Sequence, residues 1–240
     1  MNDIAAIYAV YLERGYDSAA FRQVLELLPD DVRRKAAKYR AEQDARRETV
    51  SAVLKRVVAC ERNGISLDQT EWIRGEYGKP SLKGYPNFHF NVSHAGDWVV
   101  CAVSTEGPIG VDVERIGKAE PEVAHMCFSH KEYEEWRGLP DRMRDESFYE
   151  RWTLKESYLK AIGRGLSIPL TDVETENRGN CIYISCQGAA DNEFQLSVLS
   201  FDTKYKLAVC KPVGDLVNYF QYYTIDEIMS RFLELTVSKY

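Results

Sequence analysis

Apolar and polar residues alternate along the chain with two periods, one typical of strands and the other of helices. Two long segments with helical periodicity each end at a glycine, Gly64 and Gly163, which is a common helix stop signal. The predicted helices cover residues 29–62, with an interruption near residue 40, then residues 146–162 and 224–235, and a further helix begins near Ser129. Strands are predicted over residues 4–12, 72–77, 88–92, 98–104, 109–114, 181–186, 194–200 and 206–210.

The second half of the chain repeats the pattern of the first. A shift of 106 positions places Phe90 on Leu196 and Val103 on Val209 without gaps. A constant offset over two adjacent strands indicates a duplication, although any two hairpins with alternating apolar residues can be aligned in part. We therefore predict an α+β fold of two pseudo-symmetric halves, residues 1–106 and 107–240, each a long helix packed on a small antiparallel sheet. The active site is expected in the cleft between them.

The composition excludes several classes of protein. The chain has 240 residues, of which 45% are hydrophobic and 28% charged, as in soluble globular proteins. It has no apolar run long enough to span a bilayer, and no basic segment followed by an apolar core at its start, so a cytoplasmic protein is expected. The six cysteines form no CxxC pair, which argues against zinc or a disulfide scaffold. A net charge of −6 argues against nucleic-acid binding.

A local reversal of charge interrupts this acidic background. Residues 33–47 contain seven basic side chains and only two acidic ones. Such a patch suits a polyanionic ligand, although a solvated helix face is the more common explanation for any single residue in it. Lys79 follows Gly78 in a predicted turn, where glycine allows the backbone to approach a ligand closely.

Two acidic residues lie two positions apart in a predicted strand. Asp112 and Glu114 therefore point to the same face, while Val111 and Val113 point to the other. Adjacent carboxylates repel each other unless a cation lies between them. Oxygen ligands without histidine or thiolate favour magnesium, or manganese, over zinc and copper. A solvated polar strand face is an equally good explanation from the pattern alone.

A third acidic residue, Glu156, lies on the second long helix at the border of its apolar stripe. Lys160 follows four positions later on the same flank. The two side chains could form an ordinary surface ion pair. Alternatively, they could be a metal-binding carboxylate and a phosphate-binding ammonium beside a cleft. Helical geometry does not distinguish these interpretations.

A serine and a histidine end the strand that precedes the Gly96 turn. Ser93 and His94 can both donate hydrogen bonds to a phosphate oxygen. Neighbouring strand residues point to opposite faces, and Ser93 is not in a GxSxG motif. Phosphate binding is therefore better supported than nucleophilic catalysis.

Taken together, these segments resemble the 4′-phosphopantetheinyl transferase family, in its two-half, surfactin-synthetase-activating branch. The resemblance is specific because several motifs occur in the family's order, and it extends faintly from Ile7-Tyr8 to the strand at residues 208–210. The motifs are Glu76-Tyr77-Gly78-Lys79-Pro80, Phe90-Asn91-Val92-Ser93-His94, Ile109-Gly110-Val111-Asp112-Val113-Glu114, and Trp152-Thr153-Leu154-Lys155-Glu156-Ser157-Tyr158-Leu159-Lys160, continued by Gly163-Arg164-Gly165-Leu166-Ser167.

The resemblance implies an enzyme, a holo-[acyl-carrier-protein] synthase, that transfers the 4′-phosphopantetheine of coenzyme A to a serine of an apo carrier protein. It implies Mg²⁺ as the cofactor, or Mn²⁺, and adenosine 3′,5′-bisphosphate as the second product. The matching metal ligands are Asp112, Glu114 and Glu156. Glu156 also matches the proposed general base, and Lys160 matches a lysine that contacts the phosphates of coenzyme A, so Glu156, Lys160 and Asp112 are the expected catalytic residues.

The remaining expected contacts to coenzyme A also follow from the resemblance. Lys79, Pro80, Ser93 and His94 match residues around the adenine and phosphate groups, and Lys35 and Arg47 resemble an N-terminal phosphate-binding set. Position 32, often basic in relatives, is a valine here, and Arg33 or Arg34 could compensate.

The expected protein partners are acyl or peptidyl carrier domains, which are typically acidic helical bundles. The loop over residues 117–124 and the segment Met126-Cys127-Phe128 could contact the carrier, with Arg137, Arg142 and Arg144 supplying complementary charge. Met126 and Phe128 could equally be core residues. The protein is expected to be a monomer. A nucleotide pyrophosphohydrolase and a non-catalytic binding module are the alternative functions.

Overall fold

The computed structural model describes residues 5–13, 15, 18–179, 181–215, 217 and 219–237. Residue 4, where the first predicted strand begins, lies outside this range. The first part of the chain forms strand β1 (Ala5–Tyr11), helices α1 (Ala19–Leu27), α2 (Asp30–Ala36) and α3 (Glu42–Asn63), and strands β2 (Trp72–Arg74), β3 (Pro80–Leu82), β4 (His89–Ala95) and β5 (Trp98–Ser104).

The second part begins with a strand and ends with a helix. Its elements are β6 (Gly110–Arg115), α4 (Pro121–Cys127), α5 (His130–Arg137), α6 (Asp141–Ile162), β7 (Val173–Arg178), β8 (Cys181–Cys186), β9 (Ala189–Val198), β10 (Tyr205–Pro212), β11 (Tyr219–Tyr223) and α7 (Ile225–Val237). Helices α3 and α6 are the two predicted long helices, and each contains 22 residues.

The helix boundaries depend on backbone geometry that the periodicity resolved only in part. The predicted interruption near residue 40 is confirmed, because Ala41 is extended and separates α2 from α3. Both long helices end at a glycine in the left-handed conformation, Gly64 (φ 63°) and Gly163 (φ 73°). The predicted start at Ser129 is confirmed by a capping box, in which Ser129 and Glu132 bond each other's backbone N–H. Helix α1 was not predicted.

Two sheets with equivalent strand orders confirm the predicted α+β fold of two pseudo-symmetric halves. One sheet has the order β11-β1-β5-β4 and the other β6-β10-β9-β8-β7. In each half, a first strand is followed by a long helix and then by two neighbouring strands of the same sheet. Strands β1, β5 and β4 of the first sheet therefore correspond to β6, β10 and β9 of the second. The strand register is shifted by one residue between the halves, since Phe90 pairs with Val103 but Leu196 pairs with Cys210.

The end of the chain returns to the first half, which the predicted boundary at residue 106 did not anticipate. Strand β11 pairs with β1 in parallel, and helix α7 buries Ile228, Met229 and Phe232 in the core around α3. Residues 219–237 therefore complete the first sheet and its helical layer. A predicted strand at residues 72–77 is shorter than expected, because Gly78 at φ 82° turns the chain into β3.

The two halves share a core between their sheets. Ile7, Val100 and Ala102 of the first sheet pack with Val111 and Val209 of the second. Helix α6 covers the opposite face of the second sheet. Within the described residues, no helix combines the length and apolar character needed to cross a membrane.

Candidate active site

Asp112 lies on β6, where this strand meets β4 of the first half and helix α6. It is only 3% exposed. Its Oδ1 atom accepts hydrogen bonds from Ser93 Oγ at 2.9 Å and from Lys160 Nζ at 2.5 Å. Its Oδ2 atom is buried and has no hydrogen-bond partner. Since a buried carboxylate oxygen without a partner is costly, Asp112 has an unused coordination position.

Glu114 and Glu156 place further negative charge around Asp112. Burial raises the pKa of Glu114 to about 7, and the charges of Asp112 and Glu156 act in the same direction, whereas Lys160 opposes them. Burial also raises the pKa of Glu156, with a further contribution from Asp112. The pKa of Asp112 is raised by burial as well, against the effects of Lys160 and Ser93. This is the electrostatic situation that a bound cation relieves.

The fit of these carboxylates to a metal ion rests on their chemistry and on the free Oδ2 atom. Hard oxygen donors of this kind suit Mg²⁺ or Mn²⁺. Among the described residues, no three histidine, cysteine, aspartate or glutamate side chains are already close enough to hold a metal ion. Lys160 supplies the positive charge beside Asp112 in the structure. The metal role of the three carboxylates therefore stays a prediction.

A glycine brings helix α6 against strand β6. A Cβ atom at Gly110 would lie 2.0 Å from the backbone oxygen of Ser157 and 2.4 Å from the backbone nitrogen of Ala161. Only a residue without a side chain allows this approach, which brings Glu156 and Lys160 to Asp112. Sequence reasoning missed this role, although a glycine inside a strand is a signal of close backbone packing. Lys160 forms an ion pair with Asp112 of β6, which is neither of the two interpretations considered, and its contact with phosphate stays a prediction.

Ser93 and His94 face different surroundings, as expected for neighbours in a strand. Ser93 is 7% exposed and belongs to the same hydrogen-bond network as Asp112 and Lys160, whose Nζ is 3.2 Å from Ser93 Oγ. His94 is exposed. Partial desolvation lowers the pKa of His94, and the nearby charges of Arg47 and Lys160 add to this effect.

Lys79 has a structural role that the sequence did not suggest. Its Nζ atom donates to the backbone oxygens of Ile109 (3.1 Å), Lys160 (2.6 Å) and Ala161 (2.8 Å). The lysine thus ties the start of β6 to the last turn of α6. Burial lowers the pKa of Lys79 to about 8. A contact of this side chain with coenzyme A stays a prediction.

A cavity of about 520 Å³ adjoins Lys79 and Pro80. It is lined by residues of the β2–β3 turn, the start of β4 and the end of α6, including Tyr77, Tyr85, Phe88 and Gly163. The aromatic and glycine-rich lining gives flat apolar surfaces next to accessible backbone groups. Of the four residues expected around the adenine and phosphate groups, Lys79 and Pro80 line this cavity, and binding of adenine there stays a prediction.

The two N-terminal basic residues are ion-paired with carboxylates. Lys35 Nζ lies 2.8 Å from Glu48 Oε2. Arg47 pairs with Asp44 and donates to the backbone oxygen of Gly96 at 2.6 Å. Val32 is a core residue, 7% exposed, so this helix face has no place for a charged side chain at position 32.

The segment after α4 divides between surface and core. Met126 is 75% exposed, whereas Phe128 is 2% exposed and packs on Trp136 and Phe148. Of the two alternatives for this segment, Phe128 is a core residue and Met126 is available to a partner. Arg144 is held by the backbone oxygens of Leu139 and Arg137.

Comparison with known proteins covers almost the whole chain. A model described as 4′-phosphopantetheinyl transferase, N-terminal, matches residues 17–106, and one described as 4′-phosphopantetheinyl transferase superfamily matches residues 108–210. A 4′-phosphopantetheinyl transferase of Bacillus subtilis is 30% identical over 225 residues, 93% of this chain and 99% of that protein.

Two further relatives agree. The 4′-phosphopantetheinyl transferase psf-1 of Bacillus pumilus is 31% identical over 94% of this chain and 97% of its own length. The 4′-phosphopantetheinyl transferase Sfp of Bacillus subtilis strain 168 is 28% identical over 93% of this chain and 99% of its own length. The chain therefore belongs to the 4′-phosphopantetheinyl transferase family, in its two-half, surfactin-synthetase-activating branch, and is an enzyme of that class.

Proposed function

We propose that the chain transfers the 4′-phosphopantetheine of coenzyme A to a serine hydroxyl of an apo carrier protein in a magnesium-dependent reaction. The single observation that carries this proposal is the cluster of Asp112, Glu114 and Glu156 with Lys160, in which burial raises the pKa of all three carboxylic acids and leaves Asp112 Oδ2 without a partner. Family membership directs this cluster to phosphoryl chemistry.

Asp112, Glu114 and Glu156 would hold the metal ion. When bound, Mg²⁺ or Mn²⁺ would neutralise the negative charge of the coenzyme A pyrophosphate. Lys160, which lies beside Asp112, and His94 would bind phosphate oxygens. The hydroxyl group of Ser93 donates a hydrogen bond to Asp112 and accepts one from Lys160, and so holds the two side chains together.

The transfer moves one phosphoryl group and one proton. The serine oxygen of the carrier forms a bond to the phosphorus that carries pantetheine, and the bond from this phosphorus to the bridging oxygen breaks. Adenosine 3′,5′-bisphosphate leaves with that oxygen. Glu156 accepts the serine proton, directly or through a water molecule.

The test is incubation of the protein with coenzyme A, MgCl₂ and an apo carrier domain, followed by mass spectrometry of the carrier. The expected result is a mass gain of one phosphopantetheine, abolished by EDTA and restored by MgCl₂. Glu156→Gln is expected to lower kcat by about 10²–10⁴-fold. Asp141→Asn is the matched control, because Asp141 is in the first turn of the same helix and exposed.

Three outcomes would contradict this proposal. Free phosphopantetheine without modified carrier would indicate a hydrolase, and no reaction with retained coenzyme A binding would indicate a binding module. A Glu156→Gln protein with normal kcat would exclude Glu156 as the base. The identity of the carrier, the monomeric state and the cytoplasmic location stay predictions, and modification rates measured across fatty-acid, polyketide and peptide carriers address the first.

A further inference from the structure

The two sheets meet along strands β4 and β6, which belong to different sheets. At this seam, side chains of β4 accept backbone N–H groups of β6. Asn91 Oδ1 accepts the N–H of Val111 at 2.9 Å, and Ser93 Oγ accepts the N–H of Val113 at 3.4 Å. Asn91 and Ser93 are two residues apart, as are the two valines, so the contacts repeat with the period of a strand.

These two bonds flank Asp112. Val111 and Val113 are fully buried in the core between the sheets, so water does not readily replace a lost acceptor at their N–H groups. An unsatisfied buried N–H is costly. The other edge of β6 is held by the backbone ladder to β10, where Asp112 is paired with Ala208.

The face of β6 that carries Asp112 is fixed as well. Helix α6 contacts the backbone at Gly110, and Lys79 ties the residue before β6 to the end of the helix. Strand β6 is thus held by β10 on one edge and by α6 on one face. The edge that faces the first half is held by the side chains of Asn91 and Ser93.

We propose that Asn91 is a positioning residue for the transfer reaction. Through the N–H of Val111, Asn91 sets the position of β6 relative to the first half of the molecule, and thereby the position of Asp112 and Glu114 relative to Ser93 and His94. Ser93 contacts the carboxylate itself, whereas the hydrogen bond of Asn91 goes to the strand. The catalytic part of this inference rests on the proposed function.

Three substitutions test it. Asn91→Leu has a similar size and removes the acceptor, whereas Asn91→Asp keeps an oxygen in the same place. Tyr205→Phe is the matched control, because Tyr205 Oη accepts the N–H of Asp97 at 2.9 Å in another bond between the halves. Asn91→Ala replaces Asn91→Leu if the latter does not fold.

The first measurement is hydrogen exchange of the Val111 amide by NMR, with the amides of β10 as reference. We expect Asn91→Leu to accelerate exchange at Val111 by at least about tenfold, the effect of losing one hydrogen bond of about 1.4 kcal/mol. Asn91→Asp is expected to retain protection. Unchanged protection in Asn91→Leu would overturn the proposal, and this result does not depend on enzymatic activity.

The second measurement is steady-state transfer to the carrier. Asn91→Leu is expected to lower kcat by about 10–100-fold, the cost of a displacement of about 1 Å in an active site, with KM for coenzyme A changed less than threefold. Asn91→Asp should recover most of kcat. An equal loss of kcat in Tyr205→Phe would show that the loss of any hydrogen bond between the halves has this effect. That result would refute a specific role of Asn91. If the wild-type protein transfers nothing, the proposed function fails, while the exchange measurement still tests the hold on β6.

Discussion

Lys55 carries its charge in a half-buried position, although charged side chains favour solvent. Its Nζ atom lies 5.0 Å from the centre of the Trp72 ring, and its side chain is half-buried beneath β2. Burial lowers the pKa of Lys55 to about 8. The charged groups that face it also act on this pKa, and they are Arg56, Arg74 and Lys35, which lower it, and Glu48, which raises it.

This pKa predicts a pH-dependent stability. The unfolded chain holds the Lys55 proton up to a pH of about 10.4, so between about pH 8 and 10.4 the unfolded state binds more protons than the folded state. The free energy of unfolding therefore rises with pH in this window. Because burial disfavours the charged side chain, Lys55→Met is expected to be more stable than wild type at pH 7. Lys55→Met lacks the increase with pH, so this difference in the free energy of unfolding should shrink by about 1–3 kcal/mol from pH 7 to pH 10.

The measurement is urea denaturation of both proteins at several pH values. Lys55→Arg is the control, because arginine stays charged throughout and should gain nothing as the pH rises. A constant difference between wild type and Lys55→Met across the range would contradict the prediction.

At the scale of elements, a buried ion pair joins four segments around helix α6. Lys155 is fully buried and pairs with Glu132 of α5 at 2.5 Å. Its Nζ atom also donates to the backbone oxygens of Cys127 and Leu170, both at 3.0 Å. The two oxygens of Glu132 accept the N–H groups of Ser129 and Thr175. The position of α4, with its exposed Met126, therefore depends on this pair.

A double-mutant cycle is expected to reveal strong coupling in this pair. Lys155→Met or Glu132→Gln alone leaves a buried charge without its partner and should cost about 3–5 kcal/mol of unfolding free energy. The double variant should cost clearly less than the sum, because neither charge is left alone.

The same cycle on Lys83 and Glu71 provides the comparison. Their distance is similar, 2.8 Å, but the side chains are 58% and 61% exposed, so a coupling below about 1 kcal/mol is expected. Equal coupling energies in the two cycles, from chemical denaturation, would contradict the role assigned to burial.

At the scale of the whole molecule, the last helix closes the half that contains the first strand. Phe232 is 3% exposed and packs in the core around α3. This region follows residue 210, where the second family model ends. The first half is therefore completed by a segment that begins 115 residues after the end of β5 and 208 residues after the end of β1.

Phe232→Ala is expected to lower the free energy of unfolding by about 3–5 kcal/mol, since it leaves a cavity in a close-packed core. Val237→Ala, in the same helix but 76% exposed, should change it by less than about 0.5 kcal/mol. Urea denaturation followed by tryptophan fluorescence measures both. A Phe232→Ala protein as stable as wild type would mean that α7 contributes little to the first half.

The sequence by itself determined the features that depend on local pattern. Periodicity and glycine stop signals located α3 and α6, alternation placed Asp112 and Glu114 on one strand face, and the ordered motifs identified the family. These features are encoded in neighbouring residues, so they are readable without long-range contacts.

Only the tertiary structure decided how distant elements meet. The approach of α6 to Gly110, the use of Lys79 to tie β6 to α6, the burial of Phe128 and the return of β11 and α7 to the first half depend on contacts between residues far apart in sequence. The cost of burying a charge or a backbone amide likewise depends on which partners the fold supplies. Lys160 of α6, for example, pairs with Asp112 of β6, a partner that helical spacing alone did not predict.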